Sequence, residues 1–379
     1  MARLLAAFLF FVSCLAAQED LIKEGNIAYL KGEYEAARVA FTSAWEQVQQ
    51  TPRDNPVRYD ILKRLTSVRA AAGEFADADL WLQQAITWRE QILGTRDPKI
   101  ADDLLISVGL YRGLKDFDRA LAILQRVRSM HVQDYGAVSV PVADDWSRIA
   151  QVDGELKKLD DAIAALTAGL KIRQQLGGPL DPSMISDLDR LGEYQVTVRA
   201  YDQAEEAYRH VLVIRETLYG KKHADLITTV DGLAYALFGQ KKYDAAEPVY
   251  QRLLELWEGS VGKDHAMVAV VLDKVAVFYS TQKKYPEAAA ALARSTAIRG
   301  RFLAMGFSQQ ATEAFVEGHK DQAKMYYQRG VAALDPPDPM NDDLREQFQG
   351  MIAALEAPQP KAGAPPKKAA TPPKKSTKQ

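Results

Sequence analysis

The chain has 379 residues, of which 47% are hydrophobic and 26% charged, with a formal net charge of −2. That length suits two or three ordinary domains or one long repeat array. Cys14 is the only cysteine, so a disulfide framework, a cysteine nucleophile and a thiolate metal site are excluded from the body of the chain. The near-neutral total conceals a division. Residues 1–17 carry one basic group and residues 358–379 carry six; without them 41 basic residues face 50 acidic ones, so the body sits near −9 and the tail is basic.

The N-terminus reads as an export signal, residues 1–17. Arg3 supplies the positive start, and Leu4 to Val12 form an apolar run too short to span a bilayer. Cleavage after Ala16 or Ala17 would deliver the protein to the periplasm or the medium. Val12-Ser13-Cys14 also resembles the end of a bacterial lipoprotein signal, with a lipid anchor on Cys14, although Phe11 stands where that pattern has leucine.

From residue 18 an internal period governs the sequence. A large marker residue followed three positions later by alanine recurs as Tyr34/Ala37, Phe75/Ala78, Phe117/Ala120, Leu159/Ala162, Tyr201/Ala204, Tyr243/Ala246 and Tyr285/Ala288. The first interval is 41 residues and the next five are 42. Four residues beyond each alanine comes Phe41, Leu82, Leu124, Leu166, Tyr208, Tyr250 or Leu292, on the same face of a helix. Upstream lies a first helix with its own stripe, such as Leu62/Leu65, Trp146/Ile149, Leu188/Leu191 and Leu272/Val275. Neither helix can bury its face alone, so pairs must stack.

Gly25, Gly32, Tyr34, Ala37, Phe41 and Ala44 resemble a tetratricopeptide repeat, whose usual period is about 34 residues. The longer period carries a second pattern: Arg89, Leu93-Gly94, Asp97-Pro98 and Ala101; then Arg173, Leu176-Gly177 and Asp181-Pro182; then Arg215, Leu218, Gly220, His223 and Ala224; and a weaker Gly262, Asp264-His265. This is similar to the kinesin-light-chain type of repeat. The glycine is expected to end the second helix, and the Asp-Pro or Asp-His segment to start the next first helix. The resemblance implies an all-α, right-handed superhelical solenoid of antiparallel helix pairs over residues 18–333, with seven full units and a degenerate eighth marked by Gly318, Ala323 and Tyr327. Residues 334–357 read as a capping helix bearing Leu344, Phe348, Ile352 and Leu355. Residues 358–379, with Pro-Pro-Lys-Lys at 365 and again at 372, read as a disordered Lys/Pro-rich tail.

No catalytic constellation emerges. His131, His210, His223, His265 and His319 form no metal-binding spacing; His223 and His265 hold equivalent repeat positions and read as helix-start residues. Gly259 to Asp264 lacks the spacing and the Ser or Thr of a phosphate loop. No cofactor, metal or small-molecule substrate is expected, and the chain reads as a binding protein rather than an enzyme.

In the resembled family the first helices line the concave face, so positions twelve, eight and five before each marker are expected in the groove. The expected partner-binding set is Asp189, Asp231 and Asp273 at twelve before, with Lys63; Asn26, Gln151, Glu193 and Tyr235 at eight before; and Arg112 and Phe238 at five before. Three aspartates in adjacent units with exposed aromatics suit a basic or amphipathic peptide or helix of a partner protein. The plainer reading is that these aspartates solubilise or cap helices. The basic tail would make weak, salt-screened contact with anionic surfaces. The alternative is a self-associating or autoinhibited protein whose tail lies in its own acidic groove.

Overall fold

The computed structural model describes residues 18–95 and 97–357, and no strand occurs among them. The expectations for residues 1–17 and 358–379 lie outside the described residues. The chain forms two compact units that meet between Arg252 and Leu253.

In the first unit the helices follow the register as consecutive antiparallel pairs. They are α1 (18–30) and α2 (Tyr34–Val48), α3 (Val57–Ala71) and α4 (Phe75–Leu93), α5 (Lys99–Gly113) and α6 (Phe117–Tyr135), α7 (Val140–Glu155) and α8 (Leu159–Gly177), and α9 (Ile185–Thr197) and α10 (Tyr201–Tyr219). Then come α11 (Ile227–Gly239) and α12 (Tyr243–Val261), in which the boundary falls. Each marker residue opens a second helix.

Two recurring turns set these lengths. Inside each pair, the residue two before the marker is left-handed: Gly32, Gly73, Lys115, Lys157, Arg199, Lys241 and Lys283, with φ between 59° and 79°. The next amide reaches back five residues, as in Asp116 N to Tyr111 O (2.8 Å) and Ala200 N to Gln195 O (2.8 Å), which closes a Schellman motif. Between pairs the chain turns at Gly94, Gly136, Gly178, Gly220 and Gly262, 42 residues apart, with φ from 81° to 92°. The third of these corrects the sequence expectation: Gly177 is the last residue of α8, and Gly178 makes the turn.

Three residues further on, except at Ser139, a side chain at a fixed position caps the new helix. Asn55 Oδ1 accepts from Val57 N (3.1 Å), Asp97 from Lys99 N (2.8 Å), Asp181 from Ser183 N (2.9 Å), His223 Nδ1 from Asp225 N (3.3 Å) and His265 Nδ1 from Met267 N (3.2 Å). The two histidines are thus helix-start acceptors.

The alanines are the close crossing points. Ala37, Ala78, Ala120, Ala162, Ala204 and Ala246 are all 0% exposed and Ala288 4%. The large residue four positions on fills the space between pairs; Phe41, Leu82, Leu124, Leu166, Tyr208 and Tyr250 are at most 6% exposed. Tyr208 fits because Gly192 and Gly232 leave room on either side of its ring. Leu292 departs from expectation and is 48% exposed.

The second unit holds the rest of α12, then α13 (Ala266–Thr281), α14 (Tyr285–Val316), α15 (Lys320–Ala333) and α16 (Asp342–Glu356). Here the register yields. The expected eighth pair has no separate first helix, because α14 continues unbroken for 32 residues. Ala304 stands where the earlier repeats have the turning glycine, and Phe307 where they have the capping side chain, so nothing stops the helix. The chain turns at Gly318 (φ 86°), and α15 packs back on the far half of α14. The helix α16 sets Leu344 and Phe348 against Tyr327, with the Phe348 ring over Gly330. No described helix is long and apolar enough to cross a membrane.

Candidate interaction surface

The first-helix positions expected in the groove turn out to belong to two groups. One group is tied into contacts between repeats, and the other stays open.

The tying begins at a position that composition alone does not assign. Fourteen residues after the marker stand Arg89, His131, Arg173 and Arg215; fourteen before the next marker stand Asp103, Asp145, Asp187 and Thr229. Arg89 Nε lies 3.1 Å from Asp103, His131 Nδ1 2.7 Å from Asp145 and Arg173 Nε 3.3 Å from Asp187, while Arg215 donates to the Thr229 hydroxyl. All four acceptors are buried. From the second repeat to the sixth, each repeat therefore holds the next with a buried polar pair, an ion pair at Arg89–Asp103 and a hydrogen bond at the other three. Around Asp103 the network is densest: Tyr59 donates its hydroxyl (2.6 Å), Lys63 its ammonium (2.7 Å), and Arg89 lies over the Tyr59 ring. Burial and the Asp103 carboxylate both push the Tyr59 hydroxyl upward in pKa. Burial raises Asp145 as well, against the opposing pull of His131 and Arg148.

The residues twelve before the marker join this network. Lys63 is bound to Asp103, and Ser147 donates to Asp187 (2.6 Å). Asp189 accepts two bonds from Arg215, 2.7 and 3.1 Å, and burial raises its pKa despite that partner. In the second unit Asp273 accepts from Ser295 (2.6 Å) and Arg299. The expected ladder is corrected at these two positions: Asp189 and Asp273 are neutralised by arginines fourteen residues after their own markers. Asp231 is half-buried on α11. In the second unit Trp257 and Val271 replace the polar pair, and Trp257 packs on the cluster of Val268, Ala269 and Leu272.

The remaining expected residues divide similarly. Asn26 accepts from Arg64, and Arg112 pairs with Glu155 (3.0 Å from Nε). Phe238 rests against the Tyr243 ring at 6.0 Å, and Gln151 is half-buried. Glu193 and Tyr235, 42 residues apart in sequence, stay open. Tyr235 is 50% exposed and meets Tyr201 edge-on at 6.3 Å. Among the described residues no three His, Cys, Asp or Glu side chains converge as a metal set.

Family comparison agrees with this architecture. Two models described as tetratricopeptide repeat match residues 190–225 and 225–301, from within α9 to the middle of α14. Residues 190–301 carry tetratricopeptide repeats. Among solved structures similar to it are BtubC (BKLC) from P. vanneervenii, at 20% identity over 59% of this chain and 90% of that one, TM-score 0.47. A kinesin light chain-like protein of Podosopora anserina with nearly identical TPR-like repeats matches at 14% identity over 54% of this chain and 98% of that one, TM-score 0.47. The apo form of RapI matches at 13% identity over 74% and 97%, TM-score 0.46. No curated protein sequence matches significantly. Of the inter-repeat network, Arg89, Arg173 and Arg215 were visible in the sequence as a recurrence; Asp103, Asp145 and Asp187, and their role as partners, were not.

Proposed function

We propose that this protein is an exported, non-catalytic scaffold that holds a peptide or helix of a partner protein on the first-helix face of the fifth and sixth repeats. Stacked repeats present extended surfaces suited to that task. The observation that carries the reading is the open pair Glu193 and Tyr235. One offers an exposed carboxylate, and the other an aromatic face backed edge-on by Tyr201. Since Asp189 is bound by Arg215, the local sign comes from Glu193 rather than from a row of carboxylates. Such a site fits an amphipathic segment that sets an apolar side chain on Tyr235 and a Lys or Arg beside Glu193. The Lys/Pro-rich tail adds a weak contact with anionic surfaces.

Crosslinking capture from the native envelope tests this. The double substitution Glu193→Ala, Tyr235→Ala should abolish capture of the partner that the unaltered protein retains, without changing helix content. Undiminished capture would remove the assignment. Mass spectrometry of the mature N-terminus tests export: a start at residue 17 or 18 supports a cleaved signal, a lipidated Cys14 supports an anchor, and an intact Met1 overturns both.

A further inference from the structure

Stacking buries the same positions along the register, with Tyr194, seven before Tyr201, half-buried. Seven residues after the marker the side chain is at most 6% exposed in the first six repeats. Seven before the marker, on the following first helix, Val68, Leu110, Val152, Ala236 and Phe278 are at most 3% exposed. They meet in the cores: Phe41 with Val68, and Leu82 with Leu110. The buried polar pair lies beside them.

At the two ends of this register the side chains at these positions are exposed. At the front, α1 carries Ile27, 55% exposed, at the seven-before position and Asp20, 79% exposed at its side chain, at the fourteen-before position. At the rear, α14 carries Leu292, 48% exposed, at the seven-after position and Arg299, 54% exposed at its side chain, at the fourteen-after position. Leu30 and Tyr285, 84% and 63% exposed, extend the two apolar faces. At the rear residues 333–341 cover Ala297 and Gly300, but α14 runs straight past Ala304 instead of folding back, and Leu292 and Arg299 stay exposed. Arg299 is held by Asp273 as Arg215 is held by Asp189, and Arg215 turns its other contact to the next repeat.

We propose that the rear face of the seventh repeat docks the α1 face of a second copy, so that Leu292 meets Ile27 and Arg299 meets Asp20 in continuation of the repeat register. The chain's own next unit does not carry the matching residues: counted from the eighth-unit marker position, Lys320, it has Gly306 and Glu313 where α1 has Asp20 and Ile27. Burying Glu313 against Leu292 would desolvate a charge with no opposite partner. The contact is heterologous, so it propagates head to tail rather than closing as a two-fold dimer. It is independent of the peptide site proposed on α9 and α11.

Sedimentation velocity on the full chain across a concentration series tests it. The unaltered protein should show concentration-dependent growth beyond a dimer. Ile27→Asp and Leu292→Asp should each weaken association by about tenfold or more, a change of about 1.4 kcal/mol. Because Ile27→Asp keeps a working rear and Leu292→Asp a working front, an equimolar mixture should form a 1:1 complex that stops there. The charge exchange gives a second, surface-only measurement: Asp20→Arg and Arg299→Asp should each weaken association, and the doubly exchanged chain should recover it. A chain that stays monomeric throughout overturns the proposal. So does a mixture that fails to form the 1:1 complex, or association indifferent to all four substitutions, which would assign it to another surface.

Discussion

At the scale of single residues, the chemistry of this protein is the management of buried charge. Glu205 on α10 lies between Arg209 (2.8 Å), Lys242 (2.9 Å) and Gln240 (2.9 Å), the last two from the sixth repeat. Burial works against its ionisation, but the three hydrogen bonds prevail and hold the carboxyl at about 2. A lowered native pKa adds stability that is present above the unfolded value of 4.5 and lost as pH falls toward 2. Glu205→Gln should therefore cost about 1–3 kcal/mol at neutral pH in urea denaturation, with the difference shrinking below pH 4.5. Asp153 has the opposite sign. Burial first, then Asp161, raises its pKa, and Lys158 only partly compensates. The stability that Asp153 contributes is present below 3.8 and lost as pH rises through its raised native value. Asp153→Asn should be more stable than the parent at pH 7 and indistinguishable from it near pH 3, as read from paired melts. A third residue-scale test falls on Asp103. Its removal leaves the buried Arg89 with only Asp97 at 3.6 Å and takes the acceptor from Tyr59 and Lys63, and Asp103→Ala should cost about 3–5 kcal/mol.

At the scale of elements, two turns with different backbone demands explain the sequence's punctuation. The turn inside each pair uses the left-handed region, where Lys115 and Arg199 are tolerated at φ 59° and 63°. The turn between pairs combines positive φ with a nearly extended ψ, as at Gly136 (82°, 161°) and Gly220 (82°, 165°). Only glycine takes that combination cheaply. Gly220→Ala should cost about 1–3 kcal/mol in thermal or urea unfolding, whereas Lys115→Gly should leave stability unchanged or raise it by up to about 1 kcal/mol. The long α14 follows from the same rule applied in reverse. With Ala304 in place of the glycine and Phe307 in place of the cap, the last regular turn is erased. The sequence carries that signal in two residues, but it shows only against the five intact turns before it.

At the scale of the whole molecule, repeats couple to their neighbours and weakly beyond them. A cavity in one repeat should therefore be felt locally. Leu166→Ala empties a fully buried site on α8 and should cost about 2–5 kcal/mol locally. Hydrogen exchange should then show lost protection in α7 to α10 and little change in α13 to α16. Uniform loss along the chain would contradict this picture.

The sequence by itself determined the helix pairs, their 42-residue register, the alanine crossings and the histidine caps, because stacked helices repeat the same local geometry and local geometry is written in spacing. It also placed Glu193 and Tyr235 in the expected partner-binding set, without distinguishing them from Asp189 and Asp273. What only the tertiary structure decided was the sign and availability of the groove. Asp189 and Asp273 look like free carboxylates in one dimension, but each lies within reach of an arginine 26 residues further along the chain. Spacing shows which residues share a face. Whether a charge on that face is open or already neutralised depends on the reach of side chains across a helix pair, and the exposure of Leu292 and Arg299 depends on a helix that does not turn.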